Sequence, residues 1–194
     1  MSKLLGNLRE GRMFIISAPA GTGKTTLVEM LTKEFSSVVR GVTCTTRKPR
    51  QGEVEGRDYF FLTEEEFEKR LKKGDFLESA TVFGHRYGSS RELTEKELNK
   101  GRHIVLILDT QGALALKGEV AATFIFISPP SLETLKERLL KRKTETEEKM
   151  KERLAWAKHE LEQVSHYDYL IVNDNLDIAY AVLKSIFIAE EHKI

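Results

Sequence analysis

The stretch MFIISAPAGTGKTTLVEML spans residues 13–31. Its first part, Met13–Ser17, is a nearly continuous apolar run, the pattern of a parallel strand buried on both faces. Small residues follow: Ala18, Pro19, Ala20, Gly21, Thr22 and Gly23 lead into Lys24, Thr25 and Thr26. Leu27, Met30 and Leu31 then share one side of a helix predicted over Thr25–Phe35. Strand, small-residue loop, Gly-Lys-Thr and helix form the setting in which backbone N–H groups wrap a phosphate. The helix adds free N–H groups and the positive end of its dipole. Lys24 can then reach the β- and γ-phosphates of a nucleotide, and the Thr25 hydroxyl can hold Mg²⁺ with those phosphates and water. The loop opens on Ala18, where the usual pattern has glycine. An alanine there is strained if the position needs a positive φ and comfortable if it does not.

Working outward, apolar runs recur at Ile104–Leu108, Thr123–Ser128 and Asp168–Val172. Helical patterns lie at Leu132–Leu140, Glu147–Val164 and Ile178–Glu190. Strands alternating with helices predict an α/β fold with a parallel sheet core and helices on both faces. The run VLILD, residues 105–109, sets Asp109 at the carboxyl edge of a buried strand, where ligands of such sheets bind. Residues 38–101 read differently. Short strand-like pieces (Val38–Thr43, Tyr59–Leu62, Phe76–Val82) mix with two charged helices, Glu64–Lys72 and Arg91–Asn99. The expected organisation is a phosphate-loop α/β core of residues 1–37 and 102–194 with a mixed α/β insert at 38–101. The almost wholly charged segment KRKTETEEKMK, residues 141–151, suits an exposed helical lid over about 138–153.

The chain has 194 residues, enough for one domain with inserts. Its 31 Lys and Arg against 30 Asp and Glu give a net charge of +1, which argues against a dedicated nucleic-acid binder. Cys44 is the single cysteine, so an intrachain disulfide and a cysteine-based metal site are excluded, and a reducing compartment is expected. The histidines (His85, His103, His159, His166, His192) lack ligand-like spacing. No stretch approaches the ~18 apolar residues of a membrane span, and MSKLLGNLREGR is no secretory signal. A cytoplasmic protein without nucleic-acid or membrane partners is expected, with its oligomeric state left open. The near-neutral sum hides two positive segments. Residues 40–57 carry five basic and two acidic residues, and residues 131–153 carry eight and six.

Both segments lie beyond the loop and offer positive charge for a second polyanion. In TCTTRKPRQGEVEGRDYFF, residues 43–61, Arg47 and Arg50 stand either side of Pro49, with Tyr59 beyond. Two guanidiniums and a phenol suit one phosphate group, bound through charge-assisted hydrogen bonds. A solvated basic turn is the alternative reading of the same residues taken alone.

The blocks SAPAGTGKTT, TTRKPRQGEVEGRDYFF, FLESATVFGHRYGSS, LDTQG, FIFISPPS, ERLLKRKTETEEKMKERL and YLIVND occur in order and cover nearly the whole chain. Together they make the sequence closely resemble guanylate kinases. The resemblance implies Mg²⁺-dependent transfer of the ATP γ-phosphate to GMP, and also to dGMP. It assigns the GMP phosphate to Arg47, Arg50, Tyr59 and Tyr87, and the guanine to Thr43, Glu78, Ser89 and Asp109. A carboxylate at Glu78 suits guanine, whose N1–H and N2–H are adjacent donors, and repels adenine, which has an acceptor at N1. The resemblance also assigns Arg138, Arg142 and Arg153 to the transferring phosphoryl group, and Asn173 to the neighbourhood of the adenine. Two departures stand out: Ile107 where the family often has aspartate, and Lys143 where its lid usually has glycine. A kinase for another nucleoside monophosphate and a non-catalytic binding module of the same architecture are the competing readings. The retained Lys24 weighs against the second.

Overall fold

A computed structural model describes residues 3–141 and 147–194. Arg142 and Lys143, at the centre of the expected lid, lie outside the described residues.

The first strand, β1 (Met13–Ser17), is buried along its whole length. Its side chains alternate between two cores. Phe14 and Ile16 pack with Leu27, Leu31, Leu183 and Phe187 on one face, and Met13 and Ile15 pack with Leu106, Leu116 and Phe124 on the other. This two-sided burial is why the run is continuously apolar. Helix α1 (Lys24–Glu34) follows, then β2 (Val38–Arg40). The insert contains β3 (Thr43–Thr45), β4 (Tyr59–Phe61), α2 (Glu64–Lys72), β5 (Phe76–Val82), β6 (His85–Ser90) and α3 (Arg91–Leu98). The chain returns through β7 (His103–Ile107), α4 (Thr110–Leu116), β8 (Ala122–Ser128), α5 (Leu132–Lys141), α6 (Glu147–Glu162), a 3-10 turn at Val164–His166, β9 (Tyr169–Val172) and α7 (Leu176–Glu191).

The core sheet runs β2-β7-β1-β8-β9 with every neighbouring pair parallel. The loops after β1 and β7 therefore open on one edge, the carboxyl edge where α/β sheets bind ligands. The second sheet runs β4-β3-β6-β5. Val38–Arg40, grouped with the insert on its sequence, pairs instead with β7 in the core sheet. Val38–Thr43 is thus two strands, separated at Gly41. The Gly41 N–H donates to the Val105 carbonyl, and a Cβ at Gly41 would sit 2.5 Å from Leu106 Cδ2. A side chain here would have to displace the Leu106 side chain where the chain leaves the core sheet.

Helix α2 starts on a capping box, with Thr63 and Glu66 each bonding the other's backbone N–H. Its Phe67 packs with Phe76 and Cys44 under the second sheet, so Cys44 is a buried filler. Helices α5 and α6 pair through Leu135 and Leu139 against Leu154 and Ala157. At the far side of the core sheet, Glu191 of α7 accepts from the N–H groups of Gly6 (2.6 Å) and Asn7 (3.0 Å) and from Asn7 Nδ2 (2.7 Å). The Arg12 N–H donates to His103 Nδ1, which leaves His103 Nε2 to donate to Glu191 at 2.6 Å. Burial works against the Glu191 charge, but these donors outweigh it and hold the group at about 2.

Candidate active site

The loop between β1 and α1 closes on itself. Thr22 donates to the Pro19 carbonyl through its hydroxyl (2.8 Å) and its N–H (3.3 Å). Lys24 Nζ lies 3.2 Å from the Ala18 carbonyl. Gly21 and Gly23 have φ of 94° and 88°, where a side chain is strained. Ala18 is not among the positive-φ residues, so its Cβ is accommodated and the missing glycine costs nothing in backbone strain. Thr25 and Thr26 are exposed on the first turn of α1.

Asn173, expected near the adenine, is buried and donates from Nδ2 to the Thr22 carbonyl at 2.7 Å. Its own carbonyl accepts from Arg138 at 3.0 Å. The end of β9 therefore ties α5 to the phosphate loop. A Cβ at Gly23 would meet Asn173 Nδ2 at 2.6 Å, so the glycine also makes room for this support.

Across the cleft, strand register aligns four residues from four strands. Tyr59 pairs with Thr43, Thr43 with Ser89, and Ser89 with Glu78. Residues paired across a sheet share a face, so the four present one row. Glu78 is 7% exposed and accepts from the Ser89 hydroxyl (2.8 Å) and N–H (3.1 Å). Burial, with the Asp109 charge nearby, pushes its carboxyl up to about 7. Asp109 caps α4 by accepting from the Gly112 N–H at 2.9 Å, and burial raises its pKa as well. Asp109 Oδ2 is buried with no hydrogen-bond partner among the described residues. A Cβ at Gly112 would stand 2.6 Å from Glu78 Oε2, so insert and core meet at this point. Two close, buried carboxylates of raised pKa suit a ligand edge that presents neighbouring N–H donors.

Beyond this row, Tyr59 and Tyr87 meet edge-to-face at 6.1 Å, with the Arg47 guanidinium 5.2 Å from the Tyr59 ring centre. Arg47 is buried and donates to Glu53 and to the Lys48 carbonyl, both at 2.8 Å. Burial opposes its charge, but Glu53 and Tyr87 outweigh that and raise its pKa. Arg50 is exposed, and its N–H donates to the other Glu53 oxygen.

One cleft joins the two ends. Ala18, Ala20 and Lys24 line it from the loop, Thr43, Tyr59, Glu78 and Tyr87 from the second sheet, and Asp109 from the end of β7. Arg153 lines it from α6. Ile107 adds an apolar side chain at the position where the resembled family often has aspartate. Arg138 stands at the loop's support, while Arg142 is outside the described residues. The sequence reading missed Glu160, Trp156 and Phe83, which also line the cleft. Glu160 is 4% exposed, and burial raises it to about 7 despite the Lys24 charge. The spacing Arg153, Trp156, Glu160 (i, i+3, i+7) was the available signal, since it marks one stripe of a helix.

A phosphate loop on a parallel sheet, facing a second pocket with buried carboxylates and a basic flank, defines a nucleotide-binding P-loop protein with two ligand sites. A family model described as guanylate kinase matches residues 10–190, and the chain belongs to that family. It is 53% identical over 189 residues to a guanylate kinase of Protochlamydia amoebophila (strain UWE25), covering 97% of this chain and 96% of that protein. A guanylate kinase of Thermotoga maritima is 45% identical over 186 residues, covering 95% and 90%. A crystal structure of guanylate kinase from Anaplasma phagocytophilum superposes with a TM-score of 0.78 at 34% identity, over 95% of this chain and 88% of that one.

Proposed function

We propose that the protein transfers the γ-phosphoryl group of ATP to GMP, or to dGMP, giving ADP and GDP or dGDP. The observation that carries the reading is the single cleft with Lys24 at one end and Glu78 with Asp109 at the other. Family membership supports it.

The nucleophile is an oxygen of the GMP phosphate. With a second pKa near ~6 it is largely deprotonated at neutral pH, so no general base is needed. Residues 18–26 receive the ATP phosphates, with backbone N–H groups and Lys24 as donors. Arg47, Arg50, Tyr59 and Tyr87 hold the GMP phosphate; Arg47 exchanges its Glu53 partner for it. Glu78, ionised, accepts from guanine N1–H and N2–H, with Thr43, Ser89 and Asp109 around the base. Arg153, with Arg138 and Arg142 from the lid side, places positive charge on the transferring group. Closure of the lid over the cleft excludes water, which protects ATP from hydrolysis.

The donor set fits a cation that arrives with ATP. Thr25 offers one exposed hydroxyl beside Lys24, and no group of three acidic, histidine or cysteine residues is gathered for a metal among the described residues. Thr25, with phosphate oxygens and water, would hold Mg²⁺, which would supply charge neutralisation at the β- and γ-phosphates. No described helix is long and apolar enough to cross a membrane, and we place the activity in the cytoplasm with its substrates.

ADP release measured with GMP, dGMP, AMP, CMP and UMP tests this. Turnover confined to GMP and dGMP is expected. Turnover with another monophosphate reassigns the acceptor, and none at all leaves a binding module.

A further inference from the structure

The hairpin joining β5 to β6 turns on Phe83 and Gly84, whose φ values are 48° and 77°. Two consecutive positive φ values mark the hairpin turn for which Asn-Gly is preferred. Phe83 is the one non-glycine residue at positive φ among the described residues, and it is 45% exposed. A bulky side chain is strained in that conformation. Neither turn preference nor burial accounts for a phenylalanine here. Strain of this kind persists where a contact depends on it.

The contact is on the far side of the cleft. The Phe83 ring meets Trp156 edge-on, with centres 6.1 Å apart at 61°. The Arg153 guanidinium stands 5.8 Å from the Phe83 ring centre, within cation–π range. Trp156 is backed in turn by His159 at 5.7 Å. Phe83, Arg153 and Trp156 line the same cleft as Lys24 and Asp109. Glu78 stands lower on the strand whose tip carries Phe83.

We infer that Phe83 is a positioning residue: through Trp156 the hairpin tip clasps α6, and it holds the Arg153 guanidinium over the cleft. The base-reading strand and the phosphoryl-clamping helix thereby move together, so an acceptor seated on β5 and β6 sets Arg153 for transfer. This rests on the phosphotransfer reading above. The strained backbone is the structural cost of placing an aromatic ring at the hairpin tip.

Phe83→Asn supplies the residue the turn prefers and removes the ring. The expected result is a melting temperature held or raised, a kcat lowered about tenfold at saturating ATP and GMP, and a KM for GMP within about twofold of the unaltered chain. Phe83→Tyr keeps the ring and is expected to restore most of kcat. Trp156 is the sole tryptophan, so its emission reports the clasp directly. In the ligand-free protein that emission shifts to the red for Phe83→Asn and not for Phe83→Tyr. An unchanged kcat in Phe83→Asn, equal losses in the two variants, or identical emission in all three proteins overturns the inference. If the unaltered chain does not phosphorylate GMP, the proposed function falls instead, and the emission comparison still decides the clasp.

Discussion

The two ends of the cleft are built in opposite ways. The donor end is one contiguous run, residues 18–26, and its binding groups are largely backbone N–H. The acceptor end takes one residue from each of four strands, Tyr59, Thr43, Ser89 and Glu78, and works through side chains. A backbone site tolerates side-chain change where φ permits, which is why Ala18 fits, but not a Cβ at Gly23. A side-chain site depends on the charge state of buried groups, above all Glu78 and Asp109. On the proposed function, base selectivity is expected from the acceptor end and hold on the ATP phosphates from the donor end.

The largest expected effect falls on the donor end. Lys24→Met lowers kcat on the order of 10³-fold while the melting temperature stays within a few degrees, since charge on the phosphates loses a fixed donor. A near-normal kcat would remove the loop from the donor role. On the acceptor end, Glu78→Ala raises the KM for GMP by about 10²-fold and relaxes discrimination against AMP, with the KM for ATP little changed. Selectivity that survives the change would mean another residue reads the base.

The comparison sharpens with pH. Glu78 must be ionised to accept from guanine, and its pKa is about 7. The KM for GMP should fall several-fold, at most about tenfold, between pH 6 and 8, and Glu78→Gln should flatten that profile. The KM for ATP should follow a different curve; a shared one would tie the trend to something other than Glu78. For stability the sign is reversed. A carboxyl raised from 4.5 to about 7 on folding favours the fold fully below 4.5, and the advantage is lost as the pH rises to about 7. Glu160 adds a second contribution of the same sign. The smallest effect is Asn173→Ala. It removes the bond to the Thr22 carbonyl and should raise the KM for ATP about fivefold, at a stability cost of about 1–2 kcal/mol. Arg138 keeps its anchor because it bonds the Asn173 backbone, so a loss as large as that of Lys24→Met would show that the loop depends wholly on this support.

The same contrast decided what could be read from the amino-acid order. The donor end was legible because strand, loop and helix are consecutive, and β1 falls on the residues its apolar run marks. The acceptor residues came from resemblance to a family, and no local pattern puts Tyr59 beside Thr43 and Ser89. Strand β6, His85–Ser90, was missed: HRYGSS has no apolar alternation, and the strand is held by ladders to β3 and β5 on its two sides. Gly88 looks like a turn residue, yet a Cβ there would lie 2.9 Å from the Phe76 ring and 3.1 Å from Phe67. It sits mid-strand because α2 packs against its bare face. Glu160 was hidden for another reason. Its helix reads as a solvated charged surface until the cleft is seen to cover one stripe of it.

The carboxylate of Glu191 gathers donors from Gly6, Asn7 and His103, and its distance along the chain from Gly6 is 185 residues. Synthesis on the ribosome runs from the first of these partners to the last. Gly6, Asn7 and His103 all emerge long before their shared acceptor, so this junction closes only after the final turn of α7 is made. Until α7 is made, Gly6, Asn7 and His103 have no Glu191 to bond. A chain cut before α7 lacks the acceptor that holds Gly6 and Asn7, so its residues 3–12 should be cleaved faster by a protease than those of the unaltered chain.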